Sequence, residues 1–379
     1  MSSSNAVGAA PRDEHVNLRR EVRALVETWR QQGRYQPRSD SWLRGFDPAF
    51  SKELARRGLI GITWPTDVGG RGLSNTARLA VTEELLRAGA PVAAHWVGDR
   101  QIGPAIIRHG SETLRKEILP GIVAADYVFC LGMSEPEAGS DLASLRTTAT
   151  KVDGGWVIKG RKIWTSGAHH ATHMYLLART SRGEKKQSGL TEFILDMDTS
   201  GISVSPIVDL AGEHHFNEVL FEDAFVPDGR VLGSIDNGWA QVVEQLSFER
   251  GGPERFLSTY PVFAELLDVA RDGVIDVRAD LGHLVARLAT LRQLAWQVAR
   301  ALDAGEAPVQ QAATLKYLGN AFEHDVLEVA RKAYSDSGLR PGRLRNDGFR
   351  QALLASPGYS IRGGAAEVLL SLIARQEVK

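Results

Sequence analysis

The feature that most constrains the fold is a double change of hydrophobic period along one chain. From Glu14 to about Ala125, apolar residues recur at helical spacing. Val16, Leu18, Val22, Leu25 and Val26 form one stripe, and Leu79, Val81, Leu85 and Leu86 another. From Asp126 to about Asp236 the period becomes two. The stretches 127–131, 156–158, 174–177, 193–195 and 217–221 read as short strands separated by Asp-Gly, Ser-Gly and Pro-Asp turns. From Gly238 onward the helical period returns, in segments around 239–250, 256–270, 279–304 and 309–335. This order predicts an α+β chain, mostly α. A helical domain would cover 1–125, with a loose tail at 1–12. A small antiparallel β-domain would cover 126–236, and a C-terminal helical domain 237–379.

The length of 379 residues suits two or three such domains. Net charge is −1, with Lys and Arg spread along the chain, which argues against a nucleic-acid partner. The single cysteine, Cys130, excludes an intramolecular disulfide framework and a cysteine-based metal cluster. Met1 to Pro11 is small and polar and lacks the apolar core of a signal peptide. No apolar run approaches the roughly 20 residues of a membrane span. A cytoplasmic protein with no membrane partner is therefore expected. His169, His170 and His173, with His214 and His215, lack an acidic residue at convincing ligand spacing, so a solvated loop is expected there and no metal. Gly69-Gly70-Arg71-Gly72 is not followed by Lys-Ser/Thr and is no phosphate loop. Glu184-Lys185-Lys186 reads as a solvated hairpin tip.

Two segments carry chemistry together. The first is Ser134-Glu135-Pro136-Glu137-Ala138-Gly139-Ser140-Asp141, and the second is Gly160-Arg161-Lys162-Ile163-Trp164-Thr165-Ser166-Gly167. Taken singly, Trp164 reads as a core residue and Ser134 or Ser166 as a turn residue. Jointly, at this spacing, they resemble the middle domain of the acyl-CoA dehydrogenase family. The loop from Gly58 through Ser74 is similar to that family as well, and so is the helix–sheet–helix order over nearly the whole chain, most weakly between about 251 and 285.

The resemblance implies FAD as cofactor, an acyl-CoA thioester as substrate and an electron-transferring flavoprotein as electron acceptor. It implies that Leu131, Met133 and Ser134 meet the flavin through backbone and hydroxyl groups, and that Trp164 and Ser166 cover its ring. The family more often has Thr at the place of Ser134. Ser140 would meet the acyl-CoA; the alternative is a Ser/Asx turn closing a loop.

The implied reaction is α,β-dehydrogenation: a carboxylate removes the α-proton while hydride leaves to flavin N5. Such a base must be partly desolvated, and the thioester oxygen must meet fixed donors. One family position for the base falls in Ser360-Ile361-Arg362-Gly363-Gly364, where Gly363 stands in place of Glu. Gly363 could still offer its backbone N–H to the thioester oxygen. The other position is Glu249, in Leu246-Ser247-Phe248-Glu249-Arg250. Glu249 falls at i+3 and i+7 on a stripe of Trp239, Val242, Val243 and Leu246. It is either the base or one partner of an ion pair with Arg250 or Arg255. Arg250 would orient the base or contact the CoA arm.

In the family each FAD spans two chains, and the neighbour's half uses Arg-x-x-Phe-Gly and Gln-x-x-Gly-Gly segments. Here Arg271-Asp272-Gly273-Val274-Ile275-Asp276 lacks the Phe-Gly. Lys332-Ala333-Tyr334-Ser335-Asp336-Ser337-Gly338 replaces the paired Gly with Ser-Asp, and Asp336 adds negative charge near phosphate. Gly251-Gly252-Pro253 interrupts the first helix of the last domain. One half of the FAD site is thus kept and the other lost. This predicts an α2β2 oligomer with a paralogous subunit, resembling the heteromeric family members that act on steroid-like CoA esters. The alternatives are a homo-oligomer with a rebuilt adenine site, and a non-catalytic or half-site subunit supporting an active paralogue.

Overall fold

The computed structural model describes residues 15–273, 277–336 and 347–377, with side chains throughout except at 246–249, 336, 347 and 375–377. Seven helices come first: α1 (Val16–Gln31), α2 (Ser41–Arg44), α3 (Pro48–Arg56), α4 (Asn75–Arg87), α5 (Ala93–Val97), α6 (Gly103–His109) and α7 (Glu112–Val123). Their starts follow capping chemistry. The Asp47, Ser74 and Ser111 side chains accept the N–H groups of Phe50, Ala77 and Leu114. Helix α1 buries Val22, Leu25, Val26 and Trp29 and leaves Val16 half exposed. Helix α4 is buried on nearly every face. Its two buried carboxylates, Glu83 and Glu84, are therefore paired: Arg19 reaches both, at 2.7 and 2.9 Å, and Arg292 reaches Glu83 at 3.0 Å.

Eight strands follow: β1 (Phe129–Gly132), β2 (Thr148–Val152), β3 (Gly155–Lys162), β4 (His173–Arg179), β5 (Leu190–Asp196), β6 (Ile202–Val208), β7 (His214–Pro227) and β8 (Val231–Leu232). They form one sheet in the order β6-β7-β3-β2-β4-β5-β8, with β1 beside β4. Most pairings are antiparallel, as expected. Two are parallel: β1 with β4, from Phe129 opposite His173, and β2 with β4 at Thr148 opposite Arg179. The parallel pairing arises because the β2–β3 hairpin and the Trp164 loop separate β1 from β4 in sequence, which gives the chain room to cross over.

Strand β4 is buried on both faces. Tyr175 and Leu177 pack with Ile106, Ile118 and Ile122 of α6 and α7; Met174 and Leu176 pack with Trp156 and Phe221 on the other side. The last region holds α8 (Gly238–Glu249), α9 (Tyr260–Arg271), α10 (Arg278–Asp303), α11 (Val309–Asp336), α12 (Asp347–Ala355) and α13 (Ala366–Glu377). The core of this bundle is continuous with that of α1 and α4. Among the described residues, no helix is long and apolar enough to cross a membrane.

Candidate active site

The two sequence segments meet at a buried clamp. Strand β1 runs into Met133, Ser134 and Glu135, and strand β3 runs into Ile163 and Trp164. The Ile163 N–H donates to the Ser134 carbonyl at 2.9 Å. Lys162 is fully buried, and its ammonium donates to the Met133 carbonyl and to Glu135 Oε1, both at 2.9 Å. The Glu135 carboxylate also accepts the N–H groups of Arg146 at 2.7 Å and Thr147 at 2.9 Å. Burial opposes the Glu135 charge, but Lys162 and these donors outweigh it and hold its carboxyl below the usual range. Burial draws Lys162 down to about 8 against the pull of Glu135. Neither residue was singled out in the sequence, although both lie inside the quoted segments. Their opposite charges on two otherwise apolar or turn-like stretches were the available signal.

Trp164 itself is 57% exposed and adopts φ +59°, a left-handed backbone that bulky residues seldom take. Strand β7 holds the turn in this shape. Thr165 N–H donates to the Asn217 carbonyl at 3.0 Å, Asn217 Nδ2 to the Thr165 carbonyl at 2.9 Å, and Gly167 N–H to the His215 carbonyl at 3.0 Å. Phe216 meets the indole edge-on at 5.7 Å. An exposed but fixed aromatic face results, not the core tryptophan that single-residue statistics favour. Leu131, Met133, Ser134 and Ser166 are half-buried nearby in the same two segments. A flat apolar cover, hydroxyls and strand-end backbone groups are what a flavin ring requires, so these residues fit FAD. Ser140 is exposed. Its neighbour Asp141 accepts from Ser144 Oγ at 2.6 Å and pairs with Lys186 at 2.5 Å, which brings the Lys186 hairpin tip against this turn.

The histidines are not a solvated loop throughout. His173 and His215 are buried, and His173 pairs with Asp196 at 3.1 Å. His169 stacks on His214 at 3.8 Å and meets His170 at a tilt at 3.9 Å, and His170 stacks on Phe46 at 4.1 Å. Among the described residues, no group of three or more candidate ligands could hold a metal ion. Burial, helped by Arg44, pushes His215 down to about 4. A histidine held neutral below its unfolded value contributes stability that is present above about pH 6.5 and lost as pH falls towards 4. The loss is on the order of 3 kcal/mol at pH 4. Thermal melts between pH 7.5 and 4.5 should show this acid limb, and His215→Leu should flatten it; an unchanged slope in that variant would assign the limb elsewhere.

Helix α8 ends at Glu249, so the Gly251-Gly252-Pro253 break is real. Val242 is fully buried, whereas Val243 is half exposed, which corrects the apolar stripe: adjacent residues stand about 100° apart, and only Val242 faces the core. The side chains of Leu246 and Glu249 lie outside the described residues. Arg250, the C-cap, donates from Nε to the Gly363 carbonyl at 3.2 Å. The end of α8 and the C-terminal turn are thus neighbours. Gly363 and Gly364 take φ +68° and +114°, which a side chain resists. Arg362 anchors this turn from below. It is stacked on Trp42 and Tyr359 at 4.8 and 4.7 Å, donates to Asp40 at 2.6 Å and to Ser258 Oγ at 3.0 Å. The Ser258 N–H in turn donates to Glu323 at 2.9 Å, a carboxyl that burial pushes up. This network joins the first and last helical regions and was not read from the sequence. Of the segments assigned to the second half of the FAD site, residues 274–276, 337 and 338 and the Asp336 side chain lie outside the described residues; Arg271 is exposed and pairs with Asp268 at 3.0 Å.

Three family models match the chain in order: the acyl-CoA dehydrogenase N-terminal domain over residues 12–126, the middle domain over 130–224 and the C-terminal domain over 275–378. The chain belongs to the acyl-CoA dehydrogenase family. It is 34% identical over 343 residues to the acyl-CoA dehydrogenase IpdE1 of Mycolicibacterium smegmatis, covering 86% of each protein. It is 35% identical over 310 residues to the acyl-CoA dehydrogenase FadE29 of Mycobacterium tuberculosis, covering 75% of this chain and 79% of that one. Among solved structures it is similar to the Tcur3481-Tcur3483 steroid ACAD, with TM-score 0.87, 29% identity and 97% and 98% of the two chains covered. It is similar also to the ChsE4-ChsE5 complex from Mycobacterium tuberculosis, with TM-score 0.83, 27% identity and 98% of each chain covered. As a member of this family of enzymes, the chain is an acyl-CoA dehydrogenase. Residues 225–274, which include α8, fall between the matched stretches of the middle and C-terminal family models.

Proposed function

We propose that this enzyme catalyses FAD-dependent α,β-dehydrogenation of an acyl-CoA with Glu249 as the base. The observation that carries the reading is the Arg250–Gly363 hydrogen bond. It sets the last residues of α8 beside the turn where the alternative base position holds glycine. Glu249 then removes the α-proton, and the Gly363 N–H donates to the thioester oxygen as negative charge develops there. Arg250 holds the Gly363 carbonyl and so steadies the turn that carries that N–H. Leu131, Met133 and Ser134 hold one edge of the flavin, Trp164 and Ser166 cover its face, and Ser140 meets the acyl-CoA. Bound FAD supplies the oxidant by accepting the β-hydrogen as hydride at N5. An electron-transferring flavoprotein would be the electron acceptor. The functional division follows 1–125, 126–236 and 237–379.

The substrate class we propose is a bulky, steroid-like CoA ester, and the assembly an α2β2 oligomer with a paralogous subunit and one FAD per αβ pair. The altered 271–276 and 332–338 segments and the likeness to two heteromeric complexes support this. A subunit that only supports an active paralogue is the second reading, favoured by Gly363 alone. Expression of the chain alone and with its paralogue, followed by mass and FAD per chain, separates these assemblies. The expected result is sub-stoichiometric FAD alone and one FAD per pair together. A stable homo-oligomer with one FAD in every chain would reject the heteromer.

A further inference from the structure

The turn that carries the Gly363 N–H is gripped from two sides by one stretch of chain. On one side Arg250, the residue that ends α8, holds the Gly363 carbonyl at 3.2 Å. On the other, Ser258 holds Arg362, whose Nη2 donates to the Ser258 hydroxyl at 3.0 Å. The Gly363 N–H belongs to the planar peptide that joins Arg362 to Gly363, so whatever fixes Arg362 also fixes that donor. Between Arg250 and Ser258 the chain breaks at Gly251-Gly252-Pro253 and turns through a short 3₁₀-helix, Pro253–Arg255. Gly319 on α11 lets this stretch seat, since a Cβ there would collide with the Arg255 carbonyl oxygen.

Ser258 is buried, and its hydroxyl uses its full bonding capacity, one proton to give and two lone pairs to accept with. Oγ accepts from Trp42 Nε1 at 3.1 Å and from Arg362 Nη2 at 3.0 Å, and it donates to the Glu254 carbonyl at 3.0 Å. The Ser258 backbone is engaged as well: its N–H donates to Glu323 at 2.9 Å, and its carbonyl accepts the Asp40 N–H at 2.8 Å. Trp42 stands behind the hydroxyl, buried, with the Arg255 and Arg362 guanidinium carbons 5.1 and 4.8 Å from its ring centre. Asp40 takes the other Arg362 nitrogen at 2.6 Å, and Glu254 lies 3.8 Å from Arg255. The Asp40 pair ties the Gly363 turn to the first helical region only. The Ser258 bond ties it to the segment that continues α8.

We propose that Ser258 is a positioning residue for the dehydrogenation: its hydroxyl, backed by Trp42, sets the Arg362–Gly363 peptide relative to the end of α8. The inference rests on the reading of Glu249 as base and the Gly363 N–H as donor, and adds what holds the two in place. Base and donor act on adjacent atoms of one substrate, the α-carbon and the thioester carbonyl, yet they arrive from opposite ends of the last helical region. Neither Ser258 nor Trp42 is assigned a contact with the substrate. Their work is to keep the two groups at a fixed separation, where an error of about 1 Å can cost on the order of 10²-fold in rate.

The test reads proton abstraction without turnover. The CoA esters of butylthioacetic and cyclohexylthioacetic acid carry sulfur in place of the β-carbon, so they can lose an α-proton but no hydride. Exchange of that proton with D2O is followed by mass spectrometry on the complete flavoprotein complex, with FAD content and ester dissociation constant measured on the same sample. Ser258→Ala should slow exchange per bound FAD by about 10–100-fold while the dissociation constant stays within about threefold. Ser258→Thr, which restores the hydroxyl, should recover most of that loss. Trp42→Phe, which keeps an aromatic ring and removes the indole N–H, should slow exchange severalfold. If Ser258→Ala lowers only FAD content or melting temperature, with exchange per bound FAD at the wild-type value, the hydroxyl is structural and the inference fails. It fails equally if Ser258→Ala gives no folded complex and Trp42→Phe exchanges at the wild-type rate. Glu249→Gln separates the two readings. Wild-type exchange in that variant rejects the base and this inference with it, whereas slowed exchange there but not in Ser258→Ala rejects this inference alone. No exchange by the wild-type complex with either ester would reject both.

Discussion

Glu249→Gln is expected to keep FAD and to lose dehydrogenation by about 10²–10⁴, the usual cost of removing a positioned base. The substitution keeps the shape of the side chain and removes only its capacity to take a proton. Gly363 makes the expectation sharp, because no carboxylate at that position can substitute. Stopped-flow reduction of the flavin by acyl-CoA, with FAD content measured on the same sample, reads chemistry and cofactor binding separately. Near wild-type reduction would move the base to another residue or to the partner subunit.

The second large effect is structural. Glu135→Ala should destabilise the protein by about 3–5 kcal/mol, because it leaves the fully buried Lys162 ammonium without its counter-charge and two backbone N–H groups without an acceptor. The damage should be local to the flavin segments, so FAD content should fall at temperatures where the helical regions remain folded. Lys162→Met alone should also cost stability, by stranding the carboxylate. The double variant Glu135→Leu with Lys162→Met should lose less than the sum of the two single variants. Urea denaturation of all the variants gives the coupling directly. Strictly additive losses would mean that the pair is not energetically joined.

Much of the fold was legible because it depends on local periodicity. The five strands read at period two correspond to β1, β3, β4, β5 and β7, and the four C-terminal segments to α8 through α11. Strand β6 was missed: Ser203, Ser205 and Pro206 break the apolar signal, and its residues remain partly or fully exposed at the sheet edge. Strand β8 is only two residues long. In the site, the pairing of the 134–141 and 160–167 segments was legible because both are compact motifs. The devices that hold the site were not. Glu135 finds Lys162 only after the sheet forms, and Arg362 finds Asp40 across 322 positions of chain. A salt bridge between distant residues leaves no period and no spacing in a single sequence. The exposure of Trp164 was hidden for a similar reason, since its left-handed turn is imposed by Asn217 and His215 on a later strand.

The most direct test is the absorbance spectrum of the protein, purified with any obligate partner, before and after anaerobic addition of acyl-CoA thioesters that include ring-bearing esters. The account predicts flavin bands that bleach with at least one of these esters, since Trp164, Ser166, Met133 and Ser134 are held to receive the ring and Glu249 to start the reaction. A protein that shows no flavin absorbance even after added FAD would contradict it.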